Sequence, residues 1–216
     1  MTPLKVTARL RGAVVATRDG FALDALLAWR VAVDLELPPP RDERDIVPVE
    51  IPVQREAAGR FHLCSFGAMK LECAEGRFIN RRAPLEQMQT LGNAKARRVD
   101  VSAGIDKSYR IPLPTMHVER DEVVWWCIGD REQIVDLLAG VAYLGKKRAV
   151  GLGRVERWEV GACEPWDAGF PVVRDGRPLR PLPPSWPGLV SPRLAHRTLT
   201  YPYWANSRVA LCAVPI

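Results

Sequence analysis

Alternation of apolar and polar residues near the start of the chain predicts a β-strand. Val6, Ala8 and Leu10 are separated by polar neighbours, which is the period-two pattern of a strand with one buried face. Leucines then recur at helical spacing within residues 22–34, so we expect an amphipathic helix there. The consecutive prolines Pro38 to Pro40 follow and prevent the helix from continuing.

The next hundred residues have weaker patterns. Residues 47–51 are extended but lie close to prolines, which favours an edge strand. Residues 61–69 alternate and predict a strand with both faces partly covered. Residues 78–115 have no strong period, and a loop of that length in a compact domain is usually functional or mobile. Alternating stretches within 98–111 predict a protruding hairpin in this region.

A second strand, helix and strand follow. The run Glu122 to Ile128 is dense in β-branched and aromatic residues, which is typical of a buried strand. Asp130 is placed to cap a helix that we expect to end before Gly145, where glycine accepts a left-handed conformation. Residues 153–160 then predict another strand. The apolar stripe of this helix consists of Ile134, Leu137, Leu138 and Val141.

Together these elements predict an α+β fold with a ferredoxin-like (RRM-like) βαββαβ core. We expect residues 1–160 to form this domain, with a basic hairpin or thumb inserted at about 79–115. Residues 161–216 are rich in proline, and Asp175-Gly176 between extended residues is a hairpin signal. We interpret them as a β-rich extension packed on the core.

Composition places the chain among ordinary globular proteins. Its 216 residues suffice for one fair-sized core, and the hydrophobic fraction of 47% is usual for soluble domains. No apolar run approaches the ~20 residues of a membrane helix. The N-terminal residues lack the pattern of a signal peptide. We therefore expect a cytoplasmic protein without membrane contact.

Five cysteines are scattered along the chain without a CxxC pair, and only three histidines accompany them. A zinc site needs ligands at short spacing, so this arrangement favours reduced thiols. We expect no metal site, and we expect no cofactor.

The formal net charge is +6, and its distribution is uneven. Residues 145–154 hold four basic residues and no acid, and residues 79–110 hold seven basic residues against three acidic ones. Such clusters are expected of a surface that tracks phosphates, and a solvated basic face without a partner is the alternative. The seven basic residues of 79–110 are Arg81, Arg82, Lys95, Arg97, Arg98, Lys107 and Arg110.

The sequence Gly145-Lys-Lys-Arg-Ala-Val-Gly-Leu-Gly-Arg154 joins the second helix to the last strand. Its glycines allow sharp turns, and its backbone N–H groups and cations suit phosphate oxygens. The segment matches neither the Walker motif nor the Rossmann fingerprint, since no GKS or GKT triplet follows a strand and the loop runs from helix to strand. A helix cap followed by a glycine turn is the alternative interpretation.

A helix leading into a G-(basic)-x-x-G-x-G-R loop and a strand resembles the signature of the RAMP superfamily of CRISPR-associated proteins. The N-terminal stretches Pro3 to Arg9 and Leu23 to Trp29 are similar to the opening of the type IV CRISPR subunit that caps the 5′ handle of the guide RNA. The stretch Tyr143 to Trp158 resembles the same subunit.

The resemblance implies a non-catalytic RNA-binding subunit of a type IV ribonucleoprotein. Such a subunit binds the 5′ handle, contacts backbone RAMP subunits and the large subunit, and contributes to inspecting target DNA. The 79–110 insertion corresponds in layout to the thumb of these proteins, so its basic residues are secondary candidates. The main candidates for RNA contact are Gly145, Lys146, Lys147, Arg148, Gly151, Gly153 and Arg154.

The resemblance also raises an enzymatic alternative. Some members of the superfamily cleave precursor RNA without metal, using histidine, tyrosine or lysine for proton transfer. The candidates here are His62, His117, Tyr109 and Lys107, which form no evident constellation. Because type IV processing enzymes are a separate subunit, we expect no catalysis. A metal-independent endoribonuclease stays the alternative.

Aromatic residues give a further signal near the C-terminus. Tyr201, Tyr203 and Trp204 have rings that suit stacking on unpaired bases, and packing of the extension onto the core is the other interpretation. A third functional class is a small assembly protein whose basic face meets an acidic protein partner.

Overall fold

The computed structural model describes residues 1–15, 20–81, 102, 108–118 and 121–215. Short 3₁₀ helices lie at Glu43–Asp45, Arg148–Val150 and Asn206–Arg208. The longer elements, in chain order, are β1 (Thr2–Leu10), α1 (Leu23–Asp34), β2 (Leu71–Arg81), β3 (Tyr109–Val118), β4 (Glu122–Gly129), α2 (Arg131–Ala139), β5 (Val155–Ala162), β6 (Val173–Arg174), β7 (Arg177–Pro178), β8 (Arg193–Thr198) and β9 (Val209–Val214).

The central sheet has β1 between β4 and β5, with both pairings antiparallel. Val6 lies opposite Trp125 on one side and Val160 on the other. Alternate residues of β1 are buried, as its period-two pattern predicted, and alternate residues of β4 are buried as well. The sequence predictions for these three strands are confirmed.

Both helices pack on the buried face of this sheet. Leu23 and Leu27 of α1 and Ile134 and Leu138 of α2 are fully buried in the same core as the strand residues. Burying a leucine or isoleucine side chain contributes about 1.5–3 kcal/mol, so this layer accounts for much of the stability of the unit. The bulkiest core side chain, Trp125, donates its indole N–H to the Phe21 carbonyl at 2.7 Å.

The predicted strand at 61–69 is present only as isolated antiparallel bridges, of which those of Cys64 and Ala68 are to β4. Ala68 and Val124 exchange backbone hydrogen bonds of 2.7 and 2.9 Å, and the Ser65 N–H donates to the Trp126 carbonyl at 2.8 Å. Residues 63–68 therefore lie along the free edge of β4 without forming a regular strand. The predicted edge strand at 47–51 is wrong, because those described residues form none.

A hairpin is present in this region, but its arms lie mostly outside the residues 98–111 from which we predicted it. β2 and β3 pair antiparallel from Leu71 opposite Val118 to Arg81 opposite Tyr109. Of the alternating residues 98–111, only residues 109–111 belong to β3. Residues 82–101 and 103–107 lie outside the described residues. The base of the hairpin joins the core where Val14 bridges Met116.

The second helix is shorter than predicted. Asp130 caps it as expected, accepting a hydrogen bond from the Gln133 N–H at 3.1 Å. The helix ends at Ala139, where Gly140 follows with φ −83°, so the prediction that Gly145 closes the helix is wrong. The reason is that an extended segment follows the helix. In this segment the Leu144 N–H donates to the Gly153 carbonyl at 2.7 Å, so the chain cannot continue as a helix to Gly145.

The C-terminal part consists of short antiparallel hairpins. The signal at Asp175-Gly176 is confirmed, since these residues connect β6 to β7. β8 and β9 pair from Arg193 opposite Val214 to Thr198 opposite Val209. Phe61 of the first part is buried against Val172, Val173 and Leu182.

A buried polar cluster joins these hairpins to the first helix. The Arg180 guanidinium donates to the Asp24 carboxylate at 3.2 Å, and both side chains are fully buried. The Tyr203 hydroxyl donates to the same carboxylate at 2.8 Å.

Among the described residues no helix is long and apolar enough to span a membrane. Two helices and antiparallel sheets confirm the α+β class.

Candidate nucleic-acid interface

Residues 145–154, here called the basic loop, form the turn of a hairpin that begins after α2. The Leu144 N–H donates to the Gly153 carbonyl at 2.7 Å, and the Val155 N–H donates to the Ala142 carbonyl at 2.9 Å. Residues 142–144 therefore run antiparallel to residues 153–155. The loop extends from this closed base and is not the cap of a helix.

One short segment, Ala13–Val15, supports the basic loop from below. Its Ala13 carbonyl accepts from the Gly153 N–H at 2.9 Å, and its Val15 carbonyl accepts from the Lys146 N–H at 3.4 Å. The Leu152 side chain is buried against Ala13 and Val15. Val14 in turn exchanges backbone hydrogen bonds of 2.9 and 2.8 Å with Met116 of β3. The same segment thus joins the basic loop to the β2–β3 hairpin.

The three glycines of the loop have different roles. Gly145 and Gly153 have φ of +74° and +70°, and a Cβ on either would collide with a backbone carbonyl, that of Val15 or of Leu144. Gly151 has φ +80° but faces open space. Two glycines are therefore required by close packing as well as by backbone conformation, and the third by conformation alone.

The cations of the loop all point to solvent. Lys146, Lys147, Arg148 and Arg154 are exposed, and none forms an ion pair with a carboxylate in the described part of the chain. The Arg148 guanidinium lies 5.6 Å from the centre of the Trp29 ring on α1. A cation over an indole face is held in place while its charge stays available to an anion.

Backbone N–H groups contribute less than the sequence indicated. The Gly151 N–H donates to the Arg148 carbonyl and the Gly153 N–H to the Ala13 carbonyl, both at 2.9 Å. The Val150 N–H donates to the Lys147 carbonyl at 3.1 Å. These donors are already used within the chain. These N–H groups are therefore not available to an anion, whereas the exposed cationic side chains are.

The second basic cluster is only partly described. Arg110 is exposed on β3, with its guanidinium 4.0 Å from the centre of the Phe78 ring on β2. Arg81 is the last residue of β2, opposite Tyr109. The remaining predicted contacts, Arg82, Lys95, Arg97, Arg98 and Lys107, lie outside the described residues.

The candidates for RNA cleavage are not brought together. His117 and Tyr109 lie near opposite ends of β3, about 27 Å apart at the usual rise of an antiparallel strand. His62 is elsewhere, only 1% exposed and stacked on Tyr201. Burial lowers the pKa of His62 to about 4 despite the opposing effect of Asp24, so its ring is neutral at physiological pH. The last candidate, Lys107, lies outside the described residues.

The aromatic residues near the C-terminus divide between two environments. The Tyr203 hydroxyl donates a hydrogen bond to the Asp24 carboxylate, and the Tyr201 hydroxyl donates to the Val49 carbonyl at 2.7 Å. Both rings pack the C-terminal hairpins onto the core, as the second interpretation of these residues predicted. Trp204 is half exposed.

Sequence reasoning missed two features of this region. Trp29 supplies the ring beneath Arg148, and its only signal was a tryptophan on the polar side of a predicted helix. The pair Asp24 and Arg180 had no signal, because a carboxylate in the first turn of a helix is ordinarily exposed. Its partner is 156 residues away.

In the described part of the chain, no three histidine, cysteine or acidic side chains are grouped to hold a metal ion. All five cysteines are free, and burial raises the pKa of Cys127 to about 12. The buried thiols are therefore protonated and act as small apolar side chains.

Comparison with known proteins identifies the class. The family model described as CRISPR type IV associated protein Csf3 matches residues 73–215, about two thirds of the 216-residue chain. The chain is therefore a type IV CRISPR-associated, RAMP-like protein, which confirms the resemblance carried by the basic loop. Within that class it belongs to the Csf3 family. The match contains the stretch Tyr143 to Trp158 but not the N-terminal stretches. No curated protein matches the chain.

Proposed function

We propose that this protein is a non-catalytic RNA-binding subunit of a cytoplasmic type IV CRISPR ribonucleoprotein, and that it holds the 5′ handle of the guide RNA. The observation that carries the proposal is the exposed set of unpaired cations on the basic loop. Phosphates dominate the affinity of proteins for nucleic acids, so four such cations on a rigid turn form a suitable contact surface. Membership of the Csf3 family supports the same assignment.

The rigidity of the loop supports positional reading of a handle. The segment Ala13–Val15 fixes the loop on one side and β3 on the other. Gly145, Gly151 and Gly153 shape the turn, while Lys146, Lys147, Arg148 and Arg154 contact phosphates. Cations that are held in fixed positions lose less entropy on binding than those on a free tail.

We extend this surface to the β2–β3 hairpin, which takes the role of a thumb. The attachment of this hairpin to the same segment, through Met116, supports a shared face for RNA. Arg110 then contacts the guide beside the loop. The further contacts in this proposal are Arg81, Arg82, Lys95, Arg97, Arg98 and Lys107.

The fold assignment within this proposal is a ferredoxin-like core in which residues 63–68 replace the second strand. The order β4–β1–β5, with residues 63–68 on the free edge of β4, supports it. Residues 1–160 then form the RAMP domain, with an insertion at 79–115, and residues 161–216 form its extension. Backbone RAMP subunits and the large subunit are the protein partners, and target DNA is contacted through the complex.

The test changes Lys146, Lys147 and Arg148 together to alanine. We expect guide RNA retention in the purified complex to fall. For handle RNA, the slope of log affinity against log salt should become shallower by about 2, since single strands contribute about 0.7 per phosphate contact. Changing Arg41 and Arg44, which are exposed and lie outside the loop, is the control.

Unchanged guide retention and an unchanged salt slope in the loop variant would refute handle binding. Loss of complex assembly with RNA affinity intact would instead indicate an acidic protein partner. Catalysis is tested separately by incubating the protein with repeat RNA in EDTA. Specific cleavage that His62→Ala or His117→Ala abolishes would overturn the non-catalytic assignment.

A further inference from the structure

A second basic surface includes Gly20, the residue before the Phe21 that the basic loop contacts. It is a groove of about 530 Å³ between the β8–β9 hairpin and residues 66–69. Arg177, Arg193 and Arg197 line it, and its described lining includes no acidic side chain. We call it the arginine groove.

The strand β8 presents the arginines in a row. Side chains of a strand alternate between its faces, so Arg193, Ala195 and Arg197 share the face that borders the groove. Arg193 and Arg197 are four residues apart, which corresponds to about 14 Å along the strand. A single compact anion does not span that distance, whereas a chain of phosphates does.

The remaining lining suits a nucleic acid better than a purely ionic partner. Met69, Leu179 and Ala195 are half-buried and provide apolar surface on which bases can rest. Neither Arg177 nor Arg193 forms an ion pair with a carboxylate of the described chain, so both are available to phosphates. A cleft of this volume is of the size that accepts small ligands, and it accommodates about one or two nucleotides of a single strand.

The basic loop and the wall of the groove both contact the buried residue Phe21. A Cβ on Gly145 would lie 3.1 Å from the Phe21 ring, so the loop rests against that side chain. The Phe21 carbonyl accepts from the Gly67 N–H of the groove wall at 2.7 Å. Gly20, the preceding residue, lines the groove itself. The loop and the groove are therefore supported by adjacent residues of the chain.

We propose that the arginine groove binds the phosphodiester backbone of a single-stranded nucleic acid, as a site separate from the handle-binding loop. Arg177 and Arg193 contact phosphates, and the apolar lining contacts bases. The site goes beyond the proposed function and does not require it.

The test changes Arg177 and Arg193 to glutamine in the full chain, with Arg41→Gln/Arg44→Gln as a charge-matched control. Labelled oligouridylate and oligothymidylate of about 12 nucleotides, and a DNA duplex of that length, serve as probes in anisotropy titrations. Losing two phosphate contacts should weaken single-strand binding about 10–30-fold near 0.1 M salt and make the salt slope shallower by about 1.4. The control should bind as the wild type does.

A second variant and a measurement without substitution keep the test decisive. Ala195→Glu should weaken binding as well, because it places an acid among the arginines. In the wild type, thiouridine-labelled RNA or thiothymidine-labelled DNA should photo-crosslink to residues 66–69 or 193–197. Crosslinks from RNA alone or from DNA alone would identify the source of the strand, and either result supports the site.

Unchanged affinity for all single-stranded probes together with absent groove crosslinks would overturn the proposal. If those probes bind normally but the variant fails to assemble with its complex, the groove faces an acidic protein instead. The loop variant separates this result from the proposed function. Weaker handle binding by the loop variant, with no effect of the groove variant, would reject only the groove, and the reverse result would reject only the loop.

Discussion

Two glycines determine how the basic loop presents its charges. In the sequence, Gly145 and Gly153 indicated sharp turns in a segment whose backbone suits phosphate oxygens. In the structure they allow close approach of the chain to itself, against the carbonyls of Val15 and Leu144. A sequence pattern cannot distinguish these cases, because both demand the absence of a Cβ.

Replacing Gly153 by alanine should therefore lower the free energy of unfolding more than replacing Gly151 does. Gly153→Ala combines a left-handed backbone with a collision, so we expect a loss of more than about 2 kcal/mol in the free energy of unfolding. Gly151→Ala has the same backbone strain and open space, so we expect about 1 kcal/mol. Urea unfolding of the two variants measures the difference, and equal losses would contradict it.

The buried His62 ring should make stability depend on pH. Burial lowers the pKa of His62 from 6.5 to about 4. The His62 ring therefore binds a proton more readily in the unfolded chain than in the folded one. The neutral His62 ring makes its full contribution to the free energy of unfolding above about pH 6.5, and this contribution is lost as the pH falls towards 4. Within that window, each pH unit lowers the free energy of unfolding by about 1.4 kcal/mol.

Comparing His62→Phe with the wild type isolates this effect from the carboxylates, which titrate in both proteins. We expect the free energy of unfolding of the variant to fall less steeply between pH 6.5 and pH 4. Parallel curves for the two proteins would show that His62 does not titrate differently on folding.

At the scale of elements, local pattern was sufficient where an element packs by its own periodicity. β1 and α1 were predicted from periodicity because each buries one regular face, and β4 was predicted from its β-branched and aromatic residues. The strand predicted at 61–69 is irregular, because a distant side chain takes up some of its backbone carbonyls. Arg180 donates to the carbonyls of His62 at 2.5 Å and Cys64 at 3.1 Å, in place of a neighbouring strand.

The same reasoning applies to the candidate site. The basic loop was located from sequence because its glycines and cations are contiguous. The support from Ala13–Val15, the ring of Trp29 and the row of arginines on β8 were not, because each depends on residues far apart in the chain. Short strands such as β6 and β7 are visible to sequence only through their turn at Asp175-Gly176.

Removing Arg180 should destabilise several elements together. Arg180→Ala leaves the Asp24 carboxylate buried without its cation, and breaking a buried pair typically costs about 3–5 kcal/mol. The second change Asp24→Asn should recover part of that loss, because no charge then remains. A double-mutant cycle by chemical unfolding measures the coupling, and strictly additive losses would argue against a direct interaction.

At the scale of the whole molecule, the described residues form two basic surfaces, the basic loop and the arginine groove. Both lie beside residues 20–21. If one strand occupies both, their electrostatic contributions belong to a single binding event. Exposed arginines elsewhere, such as Arg41 and Arg44, then contribute little.

Salt dependence should reveal this organisation. We expect the loop variant and the groove variant to make the salt slope shallower by about 2 and about 1.4, and the combined variant by about 3.5. Guide RNA that extends beyond its handle is the appropriate probe. A combined slope equal to that of the loop variant alone would mean that the strand leaves the protein before it reaches the groove.

The contact between Tyr203 and Asp24 joins positions 179 residues apart, and this has a consequence during synthesis. At about 5–20 residues per second, a ribosome needs roughly 9–36 s to translate the interval. Throughout that time the Asp24 carboxylate lacks the partners that allow its burial. The first helix therefore cannot complete its docking while the nascent chain is being made, and ribosome-associated chaperones have an interval in which to engage it.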